Sequence, residues 1–235
     1  MSPRCQCGPP PNLLARSYNG VDQYGAADWL ASLHNPLVEA ATTLLVRLKA
    51  NVPSALCSLI GWSGNTSNAA PTARVYVDTG GKPHWFPHYS STVGADIVAT
   101  SAVCDSAWGS LGVVDDAGAV ALYVDGAAAG TGSYTRYTGY PDPDFFTVGC
   151  VRYASTVAQY FPGDIAEVAV ISRALSADEI ARWHAGTLDL RAYGEDLILW
   201  DWQGEGGDTP ARGINHGAGE ATAYANMTAA DIVEV

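Results

Sequence analysis

Short runs in which polar and apolar residues alternate, each closed by a turn rich in Gly, Pro or Asp, recur from Thr43 to Asp201, and helices are not interleaved with them. Alternation with period two buries one face of each run, and short turns between such runs join antiparallel neighbours, so the chain is confined to all-β architectures. From Thr43 to Ala50, Leu44, Val46 and Leu48 share one face and Leu45, Arg47 and Lys49 the other, which predicts a half-buried strand. Ala73 to Asp78 alternates likewise and passes through Thr79-Gly80-Gly81 into Lys82 to Tyr89, a hairpin. Ile97 to Cys104, Ser110 to Val114, Val120 to Val124, Phe145 to Arg152, Tyr160 to Ser172 and Leu197 to Trp202 read as further strands. Asp115-Asp116-Ala117-Gly118 and Asp125-Gly126 read as turns, the latter of the two-residue kind that suits the twist of an antiparallel pair. Ile165 to Ile171 is nearly apolar on both faces and is expected inside a sheet.

One helix signal stands out. Ser176-Ala177-Asp178-Glu179 is a capping box ahead of Ile180 to His184, and Gly186 stops the helix, which predicts a short surface piece. These elements together predict a two-sheet antiparallel jelly-roll sandwich with no parallel βαβ unit. Residues 1–16, with Pro9-Pro10-Pro11 and no periodicity, are expected to form an extended N-terminal arm, and residues 17–235 a single domain.

Composition bounds the partners. The 235 residues are 48% hydrophobic, enough for one substantial core, and only 15% charged, against about 25% in an average soluble domain. With 24 acidic against 12 basic residues the net charge is −12, so a nucleic-acid backbone would be repelled. Arg47, Lys49 and Asp125 interrupt the best apolar stretches, which therefore fall short of the roughly 20 residues that span a bilayer. Neither nucleic acid nor an inserted membrane is an expected partner. The opening Met1 to Gly8 lacks the apolar centre of a secretion signal, so synthesis in a cytoplasm without secretion is expected. Of five cysteines, Cys57, Cys104 and Cys150 sit singly in apolar runs and read as small hydrophobes. Cys5-x-Cys7 lacks the second pair of a zinc site; binding a metal or bridging to another chain is left open.

Several segments carry a family resemblance. Tyr18-Asn19-Gly20-Val21-Asp22-Gln23-Tyr24 resembles the "FDGVDDYV" opening of laminin-G-like, concanavalin A-like jelly rolls, and Val120 to Gly126 their "VRLYVDG" hairpin. Phe161 to Val168 followed by Arg173 to Ile180 is similar to "FNGYIDEVRIYNRALSAEEI", the most specific of the three. Leu199 to Gly206 and Asn215-His216-Gly217 resemble "YWPFDEGSG…NGNHG", a segment that usually comes first in the family and here comes last. Neighbouring first and last strands would let such a permuted order keep its pairing. The resemblance implies the lectin-glucanase sandwich over residues 17–220 and leaves function open, because that fold hosts lectins, glycosidases and structural modules. Proteins of this permuted type without a secretion signal resemble bacteriophage virion proteins, such as capsid decoration or tail components.

The candidates for chemistry are sparse. No cofactor is expected; Asp22, Asp164 and Glu167 are the acids near the family's calcium positions, but Ala166 stands where the family often has Asp, and calcium needs six to eight converging oxygens. Glycosidases on this sandwich resemble one another in an "ExDxE" strand, whose carboxylates share a face. Asp164 and Glu167 are three apart, so they point to opposite faces and cannot be such a pair; Asp201, Gln203 and Glu205 share a face but have Gln in the middle. His84 and His88 have metal-ligand spacing only on a helix, which Pro83 and Pro87 break. No nucleophile elbow and no phosphate loop is present, so no catalytic residue is expected.

Aromatic residues gather at two turns, His84 to Tyr89 and Tyr134 to Phe146 around Pro141-Asp142-Pro143-Asp144. Trp85, Tyr89, Tyr134, Tyr137 and Tyr140 are the ligand or interface candidates, with core cover, protein interface and glycan contact as the three roles open to them. The functional expectation is a non-enzymatic structural module of a multi-subunit assembly, a bacteriophage virion protein whose partners are other virion proteins and its own copies. A lectin-like module that binds a cell-surface glycan is the alternative, and a glycoside hydrolase a third reading.

Overall fold

A computed structural model describes residues 14–22, 24–28, 40–63, 72–90, 93–136, 143, 145–153, 156–201, 214–215, 223–225 and 232–234. Most of the 1–16 arm, Cys5, Cys7, Tyr137, Tyr140, Gln203 and Glu205 lie outside the described residues. In chain order the elements are β1 (Leu14–Asn19), β2 (Tyr24–Asp28), β3 (Ala41–Lys49), β4 (Cys57–Ser63), β5 (Thr72–Val77), β6 (Pro83–Ser90), β7 (Val93–Gly94), β8 (Ile97–Val98), β9 (Trp108–Asp116) and β10 (Ala119–Val124). There follow β11 (Ala127–Ser133), β12 (Phe145–Val148), β13 (Val151–Tyr153), β14 (Thr156–Ala158), β15 (Pro162–Ile171), α1 (Ala177–His184) and a 3-10 helix (Leu190–Asp196). The last strands are β16 (Leu197–Asp201), β17 (Ile214–Asn215), β18 (Ala223–Ala225) and β19 (Ile232–Glu234).

Two antiparallel sheets form the predicted sandwich. The first runs β11-β10-β9-β3-β15-β1-β19, with β16 on β15 and β17 on β16. The second runs β18-β2-β12-β4-β5-β6-β7, with β8 on β6. Leu44, Val46 and Leu48 of β3, Leu111 and Val113 of β9, and Val168 and Val170 of β15 meet Leu59, Ile60 and Trp62 of β4, Val75 and Val77 of β5 and Phe146 of β12 between the sheets. The period-two pattern therefore places these faces inward, and their burial supplies the main driving force for folding.

The ends of the chain are paired side by side. β1 lies against Pro162–Ile165 in one half of β15 and against β19 on its other edge, with Leu14 opposite Glu234. β16 takes the same edge of β15 further along, from Glu167 opposite Asp201 to Ile171 opposite Leu197. Neighbouring first and last strands are what the permuted order requires. β1 starts at Leu14, so the sheet reaches into the segment expected as an arm.

Four expectations are corrected by the packing. β3 is buried on both faces, because α1 lies on the outer side of the first sheet: Leu45, Val114, Ala169 and Ile171 pack with Ile180 and Trp183 of the helix. The run from Ile97 to Cys104 is a strand only at Ile97–Val98; Ala99 to Cys104 is a loop whose N–H groups bond to Pro83, Ala129 and Gly81. The run from Phe145 to Arg152 breaks at Gly149, which has φ 77°. Finally, Ala166 is a β-bulge: Ile165 pairs with Leu48 and Glu167 with Arg47, its immediate neighbour. The extra residue turns Asp164 and Glu167 to the same, outer face, where a regular strand would have opposed them.

Candidate functional site

Strands β5 and β6 pair from Thr72–His88 to Val77–Pro83. Ala73, Val75, Val77 and Trp85 are in the core, which leaves Arg74, Tyr76, His84, Phe86 and His88 on the outer face of the second sheet. Pro83 and Pro87 lack the N–H that a central strand would use, and on its edge away from β5 the described neighbours of β6 are the short β7 and β8. The outer side chains form one ladder. Tyr76 stacks on His84 across the strands at 4.3 Å, Phe86 stacks on His88 along β6 at 5.0 Å, and the Arg74 guanidinium lies over both Tyr76 and Phe86 at 4.9 Å. Ring faces are thus engaged within the ladder, and its polar atoms are fixed by a second set of bonds.

At the turn end, His84 Nδ1 is 2.8 Å from Asp96 Oδ1, its Nε2 is 3.3 Å from Asp78 Oδ2, and the Tyr76 hydroxyl donates to Asp96 Oδ2 at 2.8 Å. Burial and the bond to Asp96 push the Tyr76 phenol above its ordinary pKa. Burial would raise the Asp78 pKa as well, but N–H groups of Lys82 and Gly80 and the His84 ring hold it below the ordinary carboxylate value. At the other end Arg74 donates to Gln159 Oε1 at 2.8 Å, and the same oxygen accepts from Ser58 at 3.2 Å. Burial and the nearby Arg74 charge depress the His88 pKa. Arg74, Phe86 and His88 are half-exposed, while Tyr76 and His84 are nearly enclosed.

Of the residues singled out from the sequence, Trp85 is a core residue. Its side chain is 0% exposed and its indole N–H donates to Asp115 at 3.3 Å, so it is no contact surface; strand parity sends it inward and its neighbours His84 and Phe86 outward. Tyr89 lies in β6 with its side chain outside the described set, and Tyr137 and Tyr140 are outside altogether. Tyr134 is half-buried against the core and donates its hydroxyl to Asp115 at 2.6 Å. Asp115 also accepts from Gly118 N–H at 2.9 Å and from Arg136 at 2.7 Å. This enclosed carboxylate therefore ties β9, β6 and the segment from Tyr134 to Arg136 together. The sequence singled out this hairpin but not which of its side chains face outward.

On the first sheet α1 covers the outer face over β3, β9 and β15. Arg47, 5% exposed, donates to the Trp183 and His184 carbonyls at the end of α1, lies over the Trp183 ring at 4.6 Å and is 3.7 Å from Glu167. The Trp183 indole donates to Glu167. Ser110 Oγ sits 2.7 Å from His184 Nδ1, with Ser110 1% exposed, so this pair fastens the helix to β9 and is closed to a substrate. Among the described residues no group of three or more His, Cys, Asp or Glu converges as a metal site. Cys57, Cys104 and Cys150 are free and buried, and burial lifts each thiol to about 12, the condition of an inert core cysteine.

Comparison with known proteins agrees with this architecture. A heptameric SAP-like pentraxin from Limulus polyphemus superposes with a TM-score of 0.57 at 12% identity, covering 75% of this chain and 84% of its own. A candidate carbohydrate-binding protein from Bacteroides ovatus superposes with a TM-score of 0.67 at 13% identity, covering 97% of this chain and 61% of its own. The CBM40 of a Ruminococcus gnavus IT-sialidase, bound to α2,3-sialyllactose, gives 0.57 at 17% identity over 72% of this chain and 97% of its own. At such identities these likenesses establish the fold. No curated protein matches the sequence. Residues 25–181 match a laminin G-like family, and the chain belongs to the Concanavalin A-like lectin/glucanases superfamily.

Proposed function

We propose that this domain is a non-catalytic carbohydrate-binding module that holds its ligand on the outer face of the second sheet, over β5 and β6. The observation that carries the reading is the ladder of Arg74, Tyr76, His84, Phe86 and His88, in which half-exposed aromatic and cationic groups are fixed by ring contacts and by Asp78, Asp96 and Gln159. A pre-ordered set of this kind loses little side-chain freedom on binding, which favours recognition of a weakly held, hydroxyl-rich ligand. The carbohydrate-binding descriptions of the Bacteroides ovatus and Ruminococcus gnavus neighbours support it. A glycan array tests it: saturable binding is expected, and Arg74→Ala with His88→Ala should weaken it at least tenfold while leaving the melting temperature within a few degrees. An array without any bound glycan would overturn the reading.

A second reading, the assembly module of a bacteriophage virion, has one favourable observation. Val21, Val52 and Leu56 are 68%, 51% and 44% exposed on the β1–β2 and β3–β4 loops. Gly20 abuts Pro162, and the next residue, Gly163, abuts Lys49 and Ala50, which brings these loops to one end of the sandwich. Apolar loops at one end suit contact with copies of the chain or with neighbouring subunits. Native mass spectrometry is the check: oligomers that Val52→Asp and Leu56→Asp dissociate would favour this reading, and a monomer at high concentration would remove it.

A further inference from the structure

The ring faces of the β5–β6 ladder are turned to one another, so a ligand meets ring edges and polar atoms, and the hydrogen-bonding character of those atoms restricts its chemistry. We infer that the module takes an uncharged saccharide whose hydroxyl groups donate to Asp78 and Asp96, an inference that rests on the glycan reading of this face. Both nitrogens of His84 are directed at these two carboxylates, at 2.8 Å and 3.3 Å, and the Tyr76 hydroxyl is directed at Asp96. Asp78 Oδ1 accepts from Gly80 N–H at 2.8 Å and Lys82 N–H at 2.9 Å. The donors at this end therefore point into the cluster, and what remains toward solvent is carboxylate lone pairs, on side chains 28% exposed at Asp78 and 44% exposed at Asp96.

An ionised carboxylate only accepts, and each of its oxygens has room for about two hydrogens. A sugar hydroxyl supplies the missing donor, and adjacent hydroxyls supply two. A sugar carboxylate or sulfate would set acceptor against acceptor and add a like charge beside two acids. Lys82 is on the same turn, and the His84 ring lies between the two carboxylates, enclosed by them. Arg74 is committed differently, its guanidinium over Tyr76 and Phe86 and its Nη1 donating to Gln159. The turn end of the ladder is thus built for donors, and the site as a whole selects hydroxyls over acids.

The test is a calorimetric comparison of neutral cello-, malto-, manno- and galacto-oligosaccharides with 3′-sialyllactose, 6′-sialyllactose and oligogalacturonate. The expected result is binding to a member of the neutral set at least tenfold tighter than to any acidic one. Its affinity should be insensitive to salt between 50 and 500 mM, because no net charge pair forms on binding. Asp96→Asn, checked for an unchanged melting curve, should weaken that binding at least tenfold. Preference for an acidic saccharide, or neutral-sugar binding that Asp96→Asn leaves unchanged, would overturn the inference and leave the glycan reading standing. Failure of every saccharide, neutral and acidic, would overturn the glycan reading and this inference with it.

Discussion

At the scale of single residues, the interior carboxylate Asp115 shows how one charge can be stabilised by geometry. It accepts from Trp85, Tyr134, Gly118 and Arg136 while almost fully enclosed, so its burial is met by four donors. Removing it would leave the half-buried Arg136 beside a cavity. Asp115→Ala is therefore expected to cost about 3–5 kcal/mol of stability in urea unfolding, the range for breaking a buried pair. Trp85→Ala should cost a similar amount, about 3–5 kcal/mol, through the cavity left between the sheets. A loss of glycan binding in Trp85→Ala would then follow from unfolding, whereas the loss in Arg74→Ala would come at constant stability. Trp85 was the most conspicuous aromatic residue of its hairpin in the sequence, but only the pairing register tells which of Trp85 and Phe86 faces out.

At the scale of elements, local rules were legible wherever a few neighbouring residues decide the outcome. Ser176 and Glu179 form the reciprocal capping box expected of them, and Gly186, with φ 71°, closes the helix, its N–H donating to the Trp183 carbonyl and that of Thr187 to the Arg182 carbonyl. Ser176→Ala should cost about 1 kcal/mol by thermal unfolding. Asp125 and Gly126 both have positive φ, the two-residue hairpin turn read from their order. A Cβ on Gly126 would come within 2.9 Å of the His184 side chain, so Gly126→Ala should destabilise by roughly 1–3 kcal/mol and loosen α1 from β9. What was not legible depended on partners distant in sequence. Nothing local marks Ala166 as a bulge; only its registration against Leu48 and Arg47 does, and that single residue reverses the facing of Asp164 and Glu167. The burial of both faces of β3 likewise required α1, more than a hundred residues away in the chain, to be placed on it.

At the scale of the whole molecule, two sets of titrating groups bound the pH range of stability. Burial and the Arg47 charge, which outweigh Asp125, hold the His184 pKa below its ordinary 6.5; hydrogen bonds from Ser176, Arg173 and Tyr193 outweigh burial to bring Glu179 to about 2. Asp78 is lowered too. In each case the unfolded chain binds the proton more readily, so the stabilisation is present above the unfolded pKa and is lost as pH falls below 6.5 for His184 and below about 4.5 for the acids. The three thiols are raised from 9.0 to about 12, so their contribution is complete below pH 9 and is lost as pH rises toward 12. The melting temperature should accordingly plateau between about pH 7 and 9 and fall on both sides, with Cys57→Ala, Cys104→Ala and Cys150→Ala together flattening the alkaline fall. The proposed glycan site lies over β5 and β6 of this sandwich. Backbone amide chemical-shift mapping during titration with a bound oligosaccharide is the test: the largest shifts should fall on Arg74 to Asp78, Lys82, His84 to Phe86, His88 and Asp96. Shifts confined to the α1 face or to the Val21, Val52 and Leu56 end, with β5 and β6 unmoved, would contradict it.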